Sequence, residues 1–319
     1  MKRSKLHILR GFLGFDQSFL ASHNRAGNHS TNDRSRAVEL LETYDPRTKR
    51  RKMSSESNQG TCIQCQATSI DRSLMVLGVI PGRYGSTRLE GKVLALIGEK
   101  PMIQHVYERA GKSTLLDDLV VAVDDERVLR AVQSFGGKAV MTSASHTCGT
   151  ERVEEVARRS KAEIIVNIQG DEPFIKPEMI DETVSLLLED PSVPMATLLR
   201  QIKEEELKSP GIVKAVLDAN GFALYFSRAP IPYPKNKRYF QAYEHLGIYC
   251  FRKDFLSEFV KLGVSPLEDT EGLEMLRVLE KGYKIKAKVT MYEYNALSVD
   301  TKEDLETANR VYGHMMAKG

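Results

Sequence analysis

Between residues 75 and 190 short β-rich runs alternate with helical patterns, and this alternation sets the fold class. Segments 75–80, 118–123, 138–141 and 163–168 read as strands. Segments 101–112, 126–135, 150–160 and 177–188 read as helices, the first and last with proline in the opening turn. A β-α-β alternation implies a mainly parallel sheet covered on both faces. Ligands of such sheets sit at the carboxyl ends of the strands. After residue 190 the pattern changes. Strands are predicted at 195–200, 212–217, 222–227 and 245–251, with Asp218-Ala219-Asn220-Gly221 as a hairpin signal. We read 195–251 as an antiparallel insertion. Helices are predicted at 253–261 and 270–281, then a strand at 284–289 and a last helix from Lys302.

The first strand ends in Val79-Ile80-Pro81-Gly82-Arg83-Tyr84-Gly85-Ser86-Thr87-Arg88-Leu89-Glu90-Gly91-Lys92. Three glycines let backbone N–H groups approach phosphate oxygens, and Arg83, Arg88 and Lys92 add positive charge. The segment lacks the Gly-Lys-Ser/Thr ending of a P-loop and the three-glycine dinucleotide fingerprint. It suits a nucleotide triphosphate, held differently from an ATPase or a dehydrogenase. Two other segments close apolar runs in the same way. Asp171 sits in Gln169-Gly170-Asp171-Glu172-Pro173, and Asp300 in Ser298-Val299-Asp300-Thr301. Carboxylates at strand ends can share a Mg²⁺ with substrate phosphates and water. Asp300 has a second local reading, as the N-cap of the last helix.

The net charge of +3 misleads, because residues 1–60 hold 12 Lys/Arg against 6 Asp/Glu and the remainder is slightly acidic. The globular part therefore gives no reason to expect a nucleic-acid partner. No apolar run is long enough to span a membrane. Residues 1–74 are polar and aperiodic, and read as a disordered extension or as residues upstream of the true start, Met75 directly preceding the first strand. The apolar run 6–15 looks like the beginning of a targeting peptide, but no clear cleavage site follows. Cys62 and Cys65 lack the second pair that a zinc site needs. With Cys148 and Cys250 they read as reduced thiols of a cytoplasmic protein.

The motifs together resemble the 3-deoxy-manno-octulosonate cytidylyltransferases, the CMP-Kdo synthetases. The resemblance runs from the 83–92 loop through Gly149-Thr150-Glu151-Arg152 and 169–173. It continues through Ala223-Leu224-Tyr225-Phe226-Ser227-Arg228, His245-Leu246-Gly247-Ile248-Tyr249, Leu273-Glu274 with Leu276-Arg277-Val278-Leu279, and Val299-Asp300-Thr301. It implies a Rossmann-like nucleotidyltransferase fold, a homodimer, Mg²⁺, and transfer of CMP from CTP to Kdo for lipopolysaccharide assembly. On this resemblance Arg83, Ser86, Arg88, Lys92 and Gln169 would hold CTP. Asp171 and Asp300 would hold the metal and act with Lys92 in catalysis, and Arg228, His245, Tyr249 and Glu274 would hold Kdo. Three positions depart from the family pattern: Gly82 for Ala, Glu90 for Pro, and Met275 for Gln. Met275 removes a polar group from the implied sugar pocket.

Three other functions fit parts of the pattern. A CMP-sialic acid synthetase or a sugar-phosphate nucleotidyltransferase would share the fold, but Leu89-Glu90-Gly91-Lys92 and the 245–249 motif favour Kdo. An NAD-dependent oxidoreductase would need the missing glycine fingerprint. A non-catalytic nucleotide binder would have no need of Asp171, Asp300 and the basic loop together.

Overall fold

The computed structural model describes residues 73–317 apart from 87, 295 and 296. The expectations for Cys62, Cys65 and the rest of residues 1–72 lie outside the described residues. β1 (Val76–Gly82) pairs in parallel with β4 (Asp118–Val123) on one side and β6 (Ile164–Asn167) on the other. β5 (Ala139–Met141) lies parallel beyond β4. A two-residue hairpin, β2 (Leu96–Ile97) with β3 (Lys100–Pro101), stands off this sheet. Four helices join these strands: α1 (Met102–Ala110), α2 (Glu126–Ser134), α3 (Gly149–Arg158) and α4 (Pro177–Glu189).

Strand alternation explains the two cores. Val76 and Ile80 of β1 point to a core completed by Ile103 and Val106 of α1, Val128 of α2 and Met179 of α4. Leu77 and Val79 point to the opposite core, with Val153, Val156 and Ala157 of α3. A strand buried on both faces has to be apolar throughout, which is why β1 and β6 carry no charged residue. Each side chain of this kind adds about 1.5–3 kcal/mol when fully buried.

The later strands are β7 (Met195–Ile202), β8 (Lys214–Leu217), β9 (Ala223–Ser227), β10 (Ala242–Arg252) and β11 (Ile285–Val289). The main path runs β11-β7-β10-β6-β1-β4-β5. β7 and β10 therefore lie inside the mostly parallel sheet, where β10 runs antiparallel to both β6 and β7. The part outside the path is the β8–β9 hairpin, joined through β8 to the first half of β10. Strand alternation cannot distinguish an insertion from strands that continue a sheet, because both present the same period.

α5 (Lys253–Phe259), α6 (Pro266–Glu271) and α7 (Leu276–Glu280) follow β10, and α8 (Lys302–Met316) closes the described chain. The single helix expected over 270–281 is two. Gly272 adopts φ 63°, the left-handed conformation that ends α6, and the chain turns before α7. None of the described helices is long and apolar enough to cross a membrane.

Candidate active site

The parallel register gathers the motifs at one sheet edge. Gly82 lies beside Val123, and Val79 beside Asn167. Arg83, Asp124 and Gln169-Gly170-Asp171 thus leave neighbouring strands at the same end. Gly170 permits the approach: a Cβ there would stand 2.6 Å from the Pro81 carbonyl oxygen. The Asp171 carbonyl accepts from the Val299 N–H at 2.9 Å, which brings the segment carrying Asp300 alongside.

Lys92 joins the two carboxylates. Its Nζ donates to Asp171 Oδ2 at 2.6 Å and to Asp300 Oδ1 at 2.8 Å. Arg88, whose side chain is 62% exposed, pairs with the same Asp300 oxygen at 2.9 Å. Burial alone would lower the Lys92 pKa, but the carboxylates outweigh it and hold the ammonium above its ordinary value. Thr301 caps α8, its Oγ1 accepting from the Asp304 N–H while the Asp304 carboxylate accepts from the Thr301 N–H. The capping role is thus filled without the Asp300 carboxylate. Among the described residues no cluster of three or more His, Cys, Asp or Glu side chains could hold a metal.

Two cavities flank this cluster. The first, of about 300 Å³, is lined by Arg83, Lys92, Gln169 and Asp171 on one side and by His146, Thr147 and Cys148 on the other. Arg152 also reaches it. Arg83, Lys92, Arg152 and Asp171 give it charged walls. Ser86 and Arg88 do not line it. The second, of about 320 Å³, is lined by Glu172, Glu244, His245, Tyr249, Glu274 and Met275, among others. Asp171 and Glu172 are neighbours that line opposite cavities. Gln169 lies between them: a Cβ on Gly247, in the second wall, would come within 3.3 Å of Gln169 Cγ and 2.8 Å of Glu172 Oε1.

Burial shapes the chemistry of the second cavity. His245, 8% exposed, packs edge-on against Phe226 at 5.0 Å between ring centres, and its Nε2 lies 3.1 Å from Thr197 Oγ1. The Thr197 hydroxyl is also 2.8 Å from the Ile248 carbonyl, to which it donates. That leaves Thr197 Oγ1 to accept from His245 Nε2–H. Burial holds the imidazole pKa down at about 3, so it is neutral at ordinary pH. Burial, then the nearby Asp171 charge, pushes the Glu172 carboxyl up to about 7, and Tyr294 donates to its Oε2 at 2.9 Å. Glu274 is raised by burial despite accepting from Thr150 Oγ1 at 2.7 Å and Cys148 Sγ at 3.2 Å. Burial, and then the Glu274 and Glu172 charges, raise Tyr249 well above the ordinary phenol value. A cavity of this kind offers directional hydrogen bonds to sugar hydroxyls.

Of the four residues assigned to the sugar, the structure brings His245, Tyr249 and Glu274 together. Arg228 is exposed and does not line the cavity. Its Nε donates to the Glu271 carbonyl at 2.8 Å and its NH1 to the Pro210 carbonyl at 3.2 Å, beside the lining residues Gly272 and Gly211. Met275, 4% exposed, is part of the apolar core and also lines the cavity. Sequence reasoning missed Glu172 and Cys148. Glu172 stands inside a quoted motif, directly after Asp171. Cys148 has none, because its role in the wall depends on Glu274 being 126 residues away. Both Cys148 and Cys250 are free thiols, and burial raises both.

Residues 77–285 match the family described as "Cytidylyltransferase". The chain is 50% identical over 246 residues to the 3-deoxy-manno-octulosonate cytidylyltransferase of Solibacter usitatus (strain Ellin6076), covering 76% of this chain and 97% of that protein. It is 49% identical to the enzyme of the same name from Geotalea uraniireducens (strain Rf4), covering 73% and 97%. A solved structure of CMP:2-keto-3-deoxy-manno-octonic acid synthetase complexed with CTP aligns with TM-score 0.73 at 42% identity, covering 76% of this chain and 99% of that one. The chain therefore belongs to the cytidylyltransferase family, among its 3-deoxy-manno-octulosonate cytidylyltransferases.

Proposed function

We propose that this chain transfers CMP from CTP to 3-deoxy-D-manno-octulosonate, releasing pyrophosphate and activating the sugar for lipopolysaccharide synthesis. The observation that carries this reading is the pair of cavities on either side of Lys92, Asp171 and Gln169, one charged and one lined by buried polar groups. The first would take CTP and the second Kdo. The anomeric hydroxyl oxygen of Kdo bonds to the α-phosphorus as the bond to the pyrophosphate oxygen breaks. Negative charge then grows on the phosphoryl oxygens and the leaving group. Lys92 stays protonated throughout, and Lys92 and Arg83, which line the first cavity, meet that charge. Neutral His245, with Tyr249 and Glu274, orients the sugar hydroxyls, and Arg228 braces the rim of that cavity.

Asp171 and Asp300 fit a divalent cation, because both carboxylates already converge on a single ammonium and both are partly accessible. We assign them to Mg²⁺, which both carboxylates would hold. When bound, the ion neutralises phosphate charge and polarises oxygens attached to it. We also read the enzyme as a cytoplasmic homodimer, on the family resemblance. The test is pyrophosphate release with each NTP paired with Kdo or sialic acid, with and without Mg²⁺. CTP with Kdo and Mg²⁺ should be the productive set. Equal rates with other NTPs, or with no sugar, would contradict the reading.

A further inference from the structure

Arg152 lines the first cavity and pairs with Asp124, and the proposed chemistry uses neither. Asp124 follows β4 where β4 runs beside the exit of β1, so its carboxylate meets the start of the 83–92 loop. Asp124 Oδ1 accepts from the Tyr84 N–H at 2.9 Å. Its Oδ2 accepts from Arg152 NH2 at 3.0 Å. The Arg152 side chain is 3% exposed, and its NH1 donates to Thr142 Oγ1 at 2.5 Å and to the Ser143 carbonyl at 3.2 Å. Thr142 and Ser143 lead directly into His146, Thr147 and Cys148, the facing wall of the cavity. One chain of charge-assisted hydrogen bonds thus runs from the basic loop, through Asp124 and Arg152, to that opposite wall. The loop is closed on itself at the same point: the Gly91 N–H donates to the Tyr84 carbonyl at 3.0 Å, and the Arg127 guanidinium lies 3.5 Å from the Tyr84 ring centre. Fixing Tyr84 therefore fixes Gly91 and, one residue on, Lys92.

We infer that Asp124 is a positioning residue for the nucleotide, acting with Arg152 to set the spacing between the basic loop and the 143–148 wall so that both grip one CTP. This rests on reading the first cavity as the CTP site. Arg152 lines that cavity itself, so Asp124, which does not, is the discriminating position. A freed loop would still carry its charges but would have to be ordered by each incoming nucleotide.

The test measures KM for CTP and for Kdo in wild type, Asp124→Ala and Asp124→Asn, with CTP affinity by calorimetry in the absence of sugar. Asp124→Ala should raise the CTP KM and Kd about 10-fold or more and leave the Kdo KM within about 2-fold. Asp124→Asn keeps an oxygen for the Tyr84 N–H, so it should fall between the two and remain folded. A purely structural role would lower the active fraction and leave both constants unchanged. Unchanged CTP affinity in folded Asp124→Asn and Asp124→Ala, or equal rises in both KM values, would overturn the inference. The calorimetry bears on Asp124 whichever sugar is used, whereas a wild type inactive with CTP and Kdo would instead remove the proposed reaction.

Discussion

The two cavities meet at Gln169 and Asp171 yet handle charge in opposite ways. In the nucleotide cavity Lys92 sits between two carboxylates and stays charged, with Arg83 beside it. In the sugar cavity burial drives the ionisable groups toward neutrality: His245 down, Glu172, Glu274 and Tyr249 up. A triphosphate calls for fixed cations that do not reorganise as charge develops. A sugar calls for directional donors and acceptors, which a low-dielectric wall strengthens. The border falls between Asp171 and Glu172, adjacent in sequence but lining different cavities.

The largest effects should come from the charged side. Asp171→Asn and Asp300→Asn should each reduce kcat by about 100-fold or more, since metal-assisted charge stabilisation contributes several kcal/mol. Circular dichroism should show both variants folded. Near-normal turnover of either at saturating Mg²⁺ would remove that residue from the metal site and blur the division between the cavities.

The neutral side predicts a pH effect on stability. Folded His245 takes its proton only near pH 3, while the ordinary value is 6.5. Between those values the unfolded chain binds more protons, so His245 leaves stability undiminished above pH 6.5 and erodes it as pH falls toward 3. The full loss is on the order of 5 kcal/mol at the acid end. Denaturant titrations from pH 7 to 4 should show a steeper decline in wild type than in His245→Gln. Parallel declines would mean that His245 is not held neutral.

Smaller effects should follow from the apolar floor and the N-terminal segment. Met275→Gln should change kcat/KM for Kdo by less than about 10-fold, the gain from one new hydrogen bond being about 0.5–1.5 kcal/mol. Steady-state rates with Kdo and sialic acid in both proteins would check this. A wild type preferring sialic acid would overturn Kdo as the substrate, and a Met275→Gln variant that reversed that preference would show that Met275 selects the sugar. Removing residues 1–72 should leave pyrophosphate release within about 2-fold of the full chain, because every matched motif lies beyond them.

Much of this architecture could be read in the residues. The strand predicted at 118–123 is β4 (Asp118–Val123), and the helix expected at 126–135 is α2 (Glu126–Ser134), one residue shorter. Both have strong local signals, a β-branched run and an Asp125 cap whose carboxylate accepts from the Arg127 N–H. The β2–β3 hairpin was not anticipated, since two-residue strands carry no period. Its position depends on α8, whose Asn309 accepts from the Gly98 N–H more than 200 residues away. The sheet order was equally illegible, because β10 enters between β6 and β7 through pairings rather than through pattern. In the site, Lys92, Asp171 and Asp300 were named from strand-end position and motif. Their convergence on one ammonium depends on the Val299–Asp171 backbone bond, which no local pattern encodes.

The most direct measurement is the ³¹P spectrum of a reaction holding the full chain, CTP, Kdo and Mg²⁺, followed to completion. One phosphodiester resonance and one equivalent of pyrophosphate should form for each CTP consumed, with no CTP consumption when Kdo is omitted. CTP consumed without sugar, or no phosphodiester formed with Kdo, would contradict the proposed reaction.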